Sequence, residues 1–184
     1  ASVAGLSEAQ VPELKLKWAM AYPAAIRARS QPSIGWGAVF VGSQDGTVYA
    51  FDLETGCMRW SFRASAEVRT AVVLDPETKR LYFGDVLARM YALDAMTGKL
   101  VWKAKIDDHS NATITGTPTI GGGQIFVPVS SLEVTAAADP NYACCTFRGS
   151  VVALNAKSGS VNWRHYSVTA PGVRYGKTKV GTDI

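Results

Sequence analysis

The sequence predicts an all-β fold, an arc of a β-propeller, and three observations carry that prediction. Tryptophans recur at Trp18, Trp60, Trp102 and Trp163, spaced 42, 42 and 61 residues apart. Each of the last three closes the same pattern: Ala50, Asp52, Thr55, Gly56, Trp60; Ala92, Asp94, Thr97, Gly98, Trp102; Ala153, Asn155, Ser158, Gly159, Trp163. Short runs of strand-forming residues fill the rest of each period. Four short strands in ~42 residues is the period of a propeller blade. A sandwich, the competing antiparallel fold, has no reason to repeat a tryptophan turn at constant stride.

Each motif position has a physical reading. The runs at 48–51, 90–93 and 151–154 are strands rich in β-branched and aromatic residues. Asp52, Asp94 and Asn155 open a turn, where a short polar side chain accepts backbone N–H groups. Gly56, Gly98 and Gly159 supply the positive φ of a tight turn. The tryptophan then opens the returning strand. Its ring is expected between neighbouring repeats, with its N–H on a backbone carbonyl and the small alanine leaving it room. Upstream, 39–42, 81–84 and 125–127 form one equivalent set of strands, and 69–74 and 115–120 another. Gly121, Gly122 and Gly123 read as a hairpin turn between Ile120 and Gln124.

The expected boundaries are a lone outer strand at about 14–20, blades at about 19–60, 61–102 and 103–163, and the start of a further blade over 164–184. The longer third interval places an insertion of 19 residues in the third blade. Trp18 lacks the preceding turn, so its strand is expected to complete the last blade of a ring and close it. Closed propellers have ~4–8 blades. A chain of this length is therefore expected to be part of a longer polypeptide.

Composition narrows the function classes. Apolar residues make up 47% and charged residues 18% of the 184, which suits a folded domain and not a disordered one. The net charge of +4 comes from scattered residues, which argues against nucleic-acid binding. No apolar run approaches the ~20 residues of a membrane-spanning helix. The first ten residues lack the regions of a signal peptide, as a mature protein or a fragment would. No c-type haem motif and no phosphate-binding glycine loop is present. His109 and His165 lack any metal-ligand spacing, and His109 is expected on the surface. Cys57 holds a variable turn position and is expected as a free thiol.

The turn motif resembles that of the quinoprotein dehydrogenases, which use pyrroloquinoline quinone (PQQ). So do the stretches 4–18, 41–47, 68–71, 127–133 and 144–150, which look like the polyvinyl-alcohol dehydrogenase branch. The resemblance covers nearly the whole chain. The turn alone also marks non-enzymatic scaffolds, such as the propeller lipoprotein of outer-membrane assembly. The resemblance implies an eight-bladed ring with PQQ on its axis and a calcium ion bridging cofactor and protein. It implies an alcohol substrate, cytochrome c as electron acceptor, a periplasmic or secreted location, and remaining blades from the same or another chain. The catalytic aspartate, the other calcium ligands and the aromatic platform have no match here, so no catalytic residue is expected in this segment.

Within that frame Glu133, a hard oxygen donor after a serine pair, is the expected calcium ligand; the alternative is a solvated loop glutamate. Ser130 and Ser131 are candidates for the cofactor's carboxylates, or ordinary turn serines. Arg69 and Arg148 are further carboxylate partners, since a guanidinium fork matches such groups; Arg69 could equally pair with Glu67 or Asp75. Thr115 has a hydroxyl for the quinone or for backbone capping. Cys144 and Cys145 are adjacent. A bridge between them closes a small ring that staples no loop, and in the family such a ring stacks on PQQ; the alternative is two reduced thiols. The pair sits in the third-blade insertion, and loops of that length are often lids.

Overall fold

A computed structural model describes residues 5–23, 25–170 and 172–183. Three antiparallel sheets follow one another along the chain. The first is β1 (Ser33–Gly35), β2 (Ala38–Gly42), β3 (Thr47–Asp52) and β4 (Met58–Arg63), in that spatial order. The second is β5 (Val73–Asp75), β6 (Arg80–Gly84), β7 (Arg89–Asp94) and β8 (Leu100–Lys105). The third is β10 (Thr119–Gly121), β11 (Gln124–Ser131), β12 (Ser150–Asn155) and β13 (Val161–Tyr166), with the short β9 (Ala112–Thr113) paired to the far end of β11. Each is a meander of neighbours in sequence, the shape of a propeller blade.

The register explains the repeated motif. Ala50 faces Trp60, Ala92 faces Trp102 and Ala153 faces Trp163 across the two last strands of each sheet. A shift in register follows each alanine directly, as a bulge increases local twist. All three alanines are fully buried. The turn works as its residue types require. Asp52 Oδ1 accepts the N–H groups of Glu54 and Thr55 at 3.0 and 2.9 Å. Asp94 does the same for Met96 and Thr97, and Asn155 for Lys157 and Ser158.

The sheets pack face to face through two cores. Phe40, Val48 and Ala50 of the first sheet meet Leu81, Phe83, Tyr91 and Leu93 of the second. Tyr82, Met90, Ala92 and Trp102 of the second meet Ile125, Val127, Val152 and Leu154 of the third. The tryptophans tie these layers. Trp60 Nε1 donates to Ala95 O and Trp102 Nε1 to Ala156 O, both at 3.0 Å and both in the following blade. Each ring lies on the turn glycine of that blade: a Cβ on Gly98 would stand 2.7 Å from Trp60, and one on Gly159 2.6 Å from Trp102. Trp163 has no such seat among the described residues and is 43% exposed.

The terminal segments carry little sheet. Residues 14–20 run as extended coil with no ladder partner among the described residues. The strand expected there pairs with the last blade of a ring and not with blade one, which ends at β4. Trp18 still docks like the others, donating to Leu53 O at 3.0 Å with its ring on Gly56. At the other end, residues 164–166 belong to β13 and not to a new blade. Beyond them the described residues hold one isolated bridge, Lys177 to Asp183; Pro171 and Ile184 lie outside the described residues. A 3-10 turn (Glu8–Glu13) precedes the coil.

Candidate functional site

In the first two blades a four-residue turn joins the second strand to the third. In the third blade residues 132–149 make that connection, and they form the site. Their first turn is α1 (Glu133–Ala136). Ser131 Oγ accepts the N–H of Glu133 at 3.2 Å and so helps start it. Serine is suited to that task because its oxygen reaches a backbone N–H two residues on.

Glu133 is 4% exposed, although it is a carboxylate in an insertion. A buried charge must be paired or hydrogen-bonded. Oε1 accepts the phenol of Tyr142 and the N–H of Thr146, both at 2.9 Å; Oε2 accepts the N–H of Phe147 at 3.0 Å. His109 Nε2 lies 3.7 Å from Oε1. Burial by itself raises the Glu133 pKa, but the N–H groups of Thr146 and Phe147 and the Tyr142 phenol outweigh it and hold the carboxyl below its ordinary value. Burial, and then the bond to Glu133, push the Tyr142 phenol up.

His109, expected on the surface, is half-buried, with 22% of its side chain exposed. Its Nδ1 accepts the N–H of Asn111 at 3.1 Å, and its Nε2 lies 2.9 Å from Thr146 Oγ1. An Nδ1 that accepts leaves the proton on Nε2, which then donates to the threonine. Asn111 Nδ2 donates to the Tyr142 hydroxyl at 2.8 Å, and Asn111 O accepts the N–H of Leu132. Asn111, His109, Thr146, Glu133 and Tyr142 thus form a closed ring of contacts. Sequence reasoning missed His109, Asn111 and Tyr142. They have no shared spacing, and only the folded insertion brings them to Glu133.

Directly before Thr146, Cys144 and Cys145 are joined as a disulfide. They form one wall of a cleft of about 440 Å³, together with Ala137, Ala143, Val173 and Tyr175. Arg174 also lines it and pairs with Asp183 at 2.6 Å. Cys57 is free and exposed.

The other predicted residues are dispersed. Arg69 donates to Glu67 at 2.9 Å, the alternative pairing foreseen, but its buried Nε has no partner among the described residues. Arg148 lies over the Tyr166 ring at 3.9 Å and donates to the carbonyls of Val168 and Thr169. Its Nε and Nη2 are therefore already taken by backbone. Thr115 Oγ1 and Ser130 Oγ are 3.4 Å apart.

The expected cofactors can be tested on these residues. A planar ring is compatible with the cleft, which the Cys144–Cys145 pair lines together with alanine and tyrosine side chains; Arg69, whose buried Nε has no partner among the described residues, does not line it. Calcium at Glu133 does not fit. Calcium takes about 6–8 oxygen ligands. Three of the roughly four lone-pair positions of this carboxylate are filled by N–H and O–H donors. No group of three or more His, Cys, Asp and Glu residues suited to a metal occurs among the described residues.

Stacked four-stranded sheets wedged by indoles on turn glycines define a tryptophan-docked propeller. Comparison with known proteins makes the assignment narrower. The PQQ_2 family model, described as outer membrane protein assembly factor BamB, matches residues 15–175, and the chain belongs to that family. It is 38% identical over 186 residues to a polyvinylalcohol dehydrogenase of Pseudomonas sp, covering 98% of this chain and 29% of that protein. It is 38% identical over 185 residues to the polyvinylalcohol dehydrogenase of Sphingopyxis sp. strain 113P3, covering 97% and 28%. The chain therefore spans less than a third of the length of these relatives. A solved europium-containing methanol dehydrogenase shares the fold with a TM-score of 0.71 at 23% identity, over 90% of this chain and 29% of that one.

Proposed function

We propose that this chain is a segment of a PQQ-dependent dehydrogenase that oxidises alcohols. The observation that carries the reading is the joined Cys144–Cys145 pair on the wall of an open cleft. A binding scaffold has no need of such a pair, whereas a planar quinone needs a flat surface to lie on. Such a quinone supplies a two-electron acceptor for the hydride of an alcohol C–H bond. In this reading the cysteine pair bounds one face of the cofactor, in a cleft whose apolar neighbours Val173 and Tyr175 are themselves exposed. Arg69 enters as a carboxylate partner from the family resemblance alone, since it does not line the cleft. Thr115, Ser130 and Ser131 supply hydroxyls near the same strand end. Arg148 acts at one remove by holding residues 168–169 in place. No role is assigned to calcium at Glu133.

The whole protein adds the remaining blades, the base that takes the alcohol proton, and a cytochrome c as electron acceptor. These follow from the family resemblance. A periplasmic or secreted location agrees with the disulfide, which persists in oxidising compartments. No helix among the described residues is long and apolar enough to cross a membrane.

A scaffold for outer-membrane assembly is the second reading, favoured by the name of the matching family model. One experiment separates the two. The intact protein is titrated with PQQ, and dye reduction is measured with polymeric and secondary alcohols. Quinone binding with alcohol-dependent dye reduction supports the dehydrogenase. An intact protein that binds no PQQ, with calcium present, supports the scaffold.

A further inference from the structure

We propose that Glu133, together with Tyr142 and His109, fastens the insertion 134–148 to the third blade and so sets where Cys144 and Cys145 stand. Glu133 follows the end of β11, whose residues 124–129 pair with β12 and whose last two, Ser130 and Ser131, pair with β9. Its carboxylate is thus carried by the rigid part of the blade. The groups it accepts all belong to the far half of the insertion: the phenol of Tyr142 and the N–H groups of Thr146 and Phe147. Those three residues bracket the cysteine pair on both sides. Without the carboxylate, the two N–H groups on the exit side have no other acceptor among the described residues.

His109 fastens the same point from a second element. It precedes β9, which is paired with the end of β11. It reaches Thr146 Oγ1 at 2.9 Å, and its ring meets Phe147 edge-on at a centroid distance of 5.4 Å. Asn111 completes the hold through Tyr142. Charge-assisted bonds of this kind are about twice as strong as neutral ones. A carboxylate buried away from water and held by three donors is therefore a strong local clasp, in a segment with little regular structure.

This anchoring does not need the quinone reading; only the use of the pair as a cofactor wall does. The test accordingly reads the insertion itself in the intact protein. In Glu133→Gln, native-state exchange of the Thr146 and Phe147 amide hydrogens is expected to accelerate roughly tenfold or more, the effect of losing one hydrogen bond to a charged group on a local opening equilibrium. Reduction of the Cys144–Cys145 bond by dithiothreitol, followed by alkylation and mass spectrometry, is expected to accelerate with it. The amides of Val127 and Val152 in the ladder should keep their protection. Unchanged exchange at Thr146 and Phe147 overturns the proposal. So does acceleration that is equal in the ladder, which means general destabilisation.

Tyr142→Phe removes one bond and leaves the carboxylate in place, and it decides the matter by the same readouts if Glu133→Gln does not fold. A chelator arm excludes a metal as the clasp. EGTA should leave the exchange of both amides unchanged in the unsubstituted protein. Acceleration by EGTA equal to that of Glu133→Gln overturns the proposal, because a bound metal and not this network then holds the insertion.

Discussion

Replacing Gly98 by alanine places two separate demands on the same turn. Gly98 has φ +70°, and its would-be Cβ stands 2.7 Å from two atoms of the Trp60 ring. The backbone demand costs about 1–2 kcal/mol for a residue with a Cβ. The ring cannot bend away, because its N–H is tied to Ala95 O on the same blade, so overpacking adds about 1–3 kcal/mol. The total is roughly 2–5 kcal/mol. Gly122 is the control, since it has φ +56° and open space around its Cβ position. Gly122→Ala should carry only the backbone cost, about 1–2 kcal/mol. Both substitutions restrict the unfolded chain equally, so that effect cancels in the difference. Urea unfolding of the intact protein, followed by tryptophan fluorescence, should therefore separate the variants by about 1–3 kcal/mol. If Gly98→Ala costs no more than Gly122→Ala, the indole does not press on the turn and the account of blade docking is wrong.

Three further substitutions probe the same repeat. Trp102 is 9% exposed, and Trp102→Ala should cost about 3–5 kcal/mol in urea unfolding. Most of that is the cavity, because Ala156 O keeps the Tyr82 hydroxyl at 3.2 Å; for the same reason Tyr82→Phe should cost under about 1 kcal/mol. The Asp94 carboxyl is held below its ordinary value first by the Thr97 hydroxyl, against the effect of burial, and then by the N–H groups of Thr97 and Met96 and by Lys99. A depressed folded pKa contributes stability that is full above the unfolded value and is lost as pH falls through the folded one. Asp94→Asn should be less stable than the unsubstituted protein at neutral pH, and the gap should close in acid; parallel pH profiles of the urea midpoint would refute this. The turn itself should survive the change, because Asn155 already makes the equivalent N–H bonds in the third blade.

What was legible in the sequence was what repeats. The alanine opposite each tryptophan, the aspartate turn and the positive-φ glycine are local solutions used three times over, so spacing alone exposed them. The insertion is used once. Its key contacts, Glu133 to Thr146 and Phe147 and His109 to Thr146, join residues 13, 14 and 37 positions apart with no period behind them. Glu133 read as a metal ligand from the family resemblance, and the donors that hold its carboxylate are not visible in the sequence. His109 read as solvent-facing because its partners are not visible there either. The segment 14–20 read as a lone outer strand because Trp18 lacks the preceding turn, and a ladder there needs a neighbour from the last blade of a ring.

By itself the sequence determined the repeat, the sheet-forming runs, the turn residues and the adjacency of the two cysteines, because each depends on chain chemistry within a few residues. Only the tertiary structure decided why the turn residue must be glycine twice over. One reason is the backbone angle, which is local. The other is the indole of the preceding blade, which reaches the turn only once the sheets are stacked. The tertiary structure alone also decided that Glu133 turns inward onto its own insertion, since a carboxylate's partners are settled by which donors folding brings within about 3 Å of it.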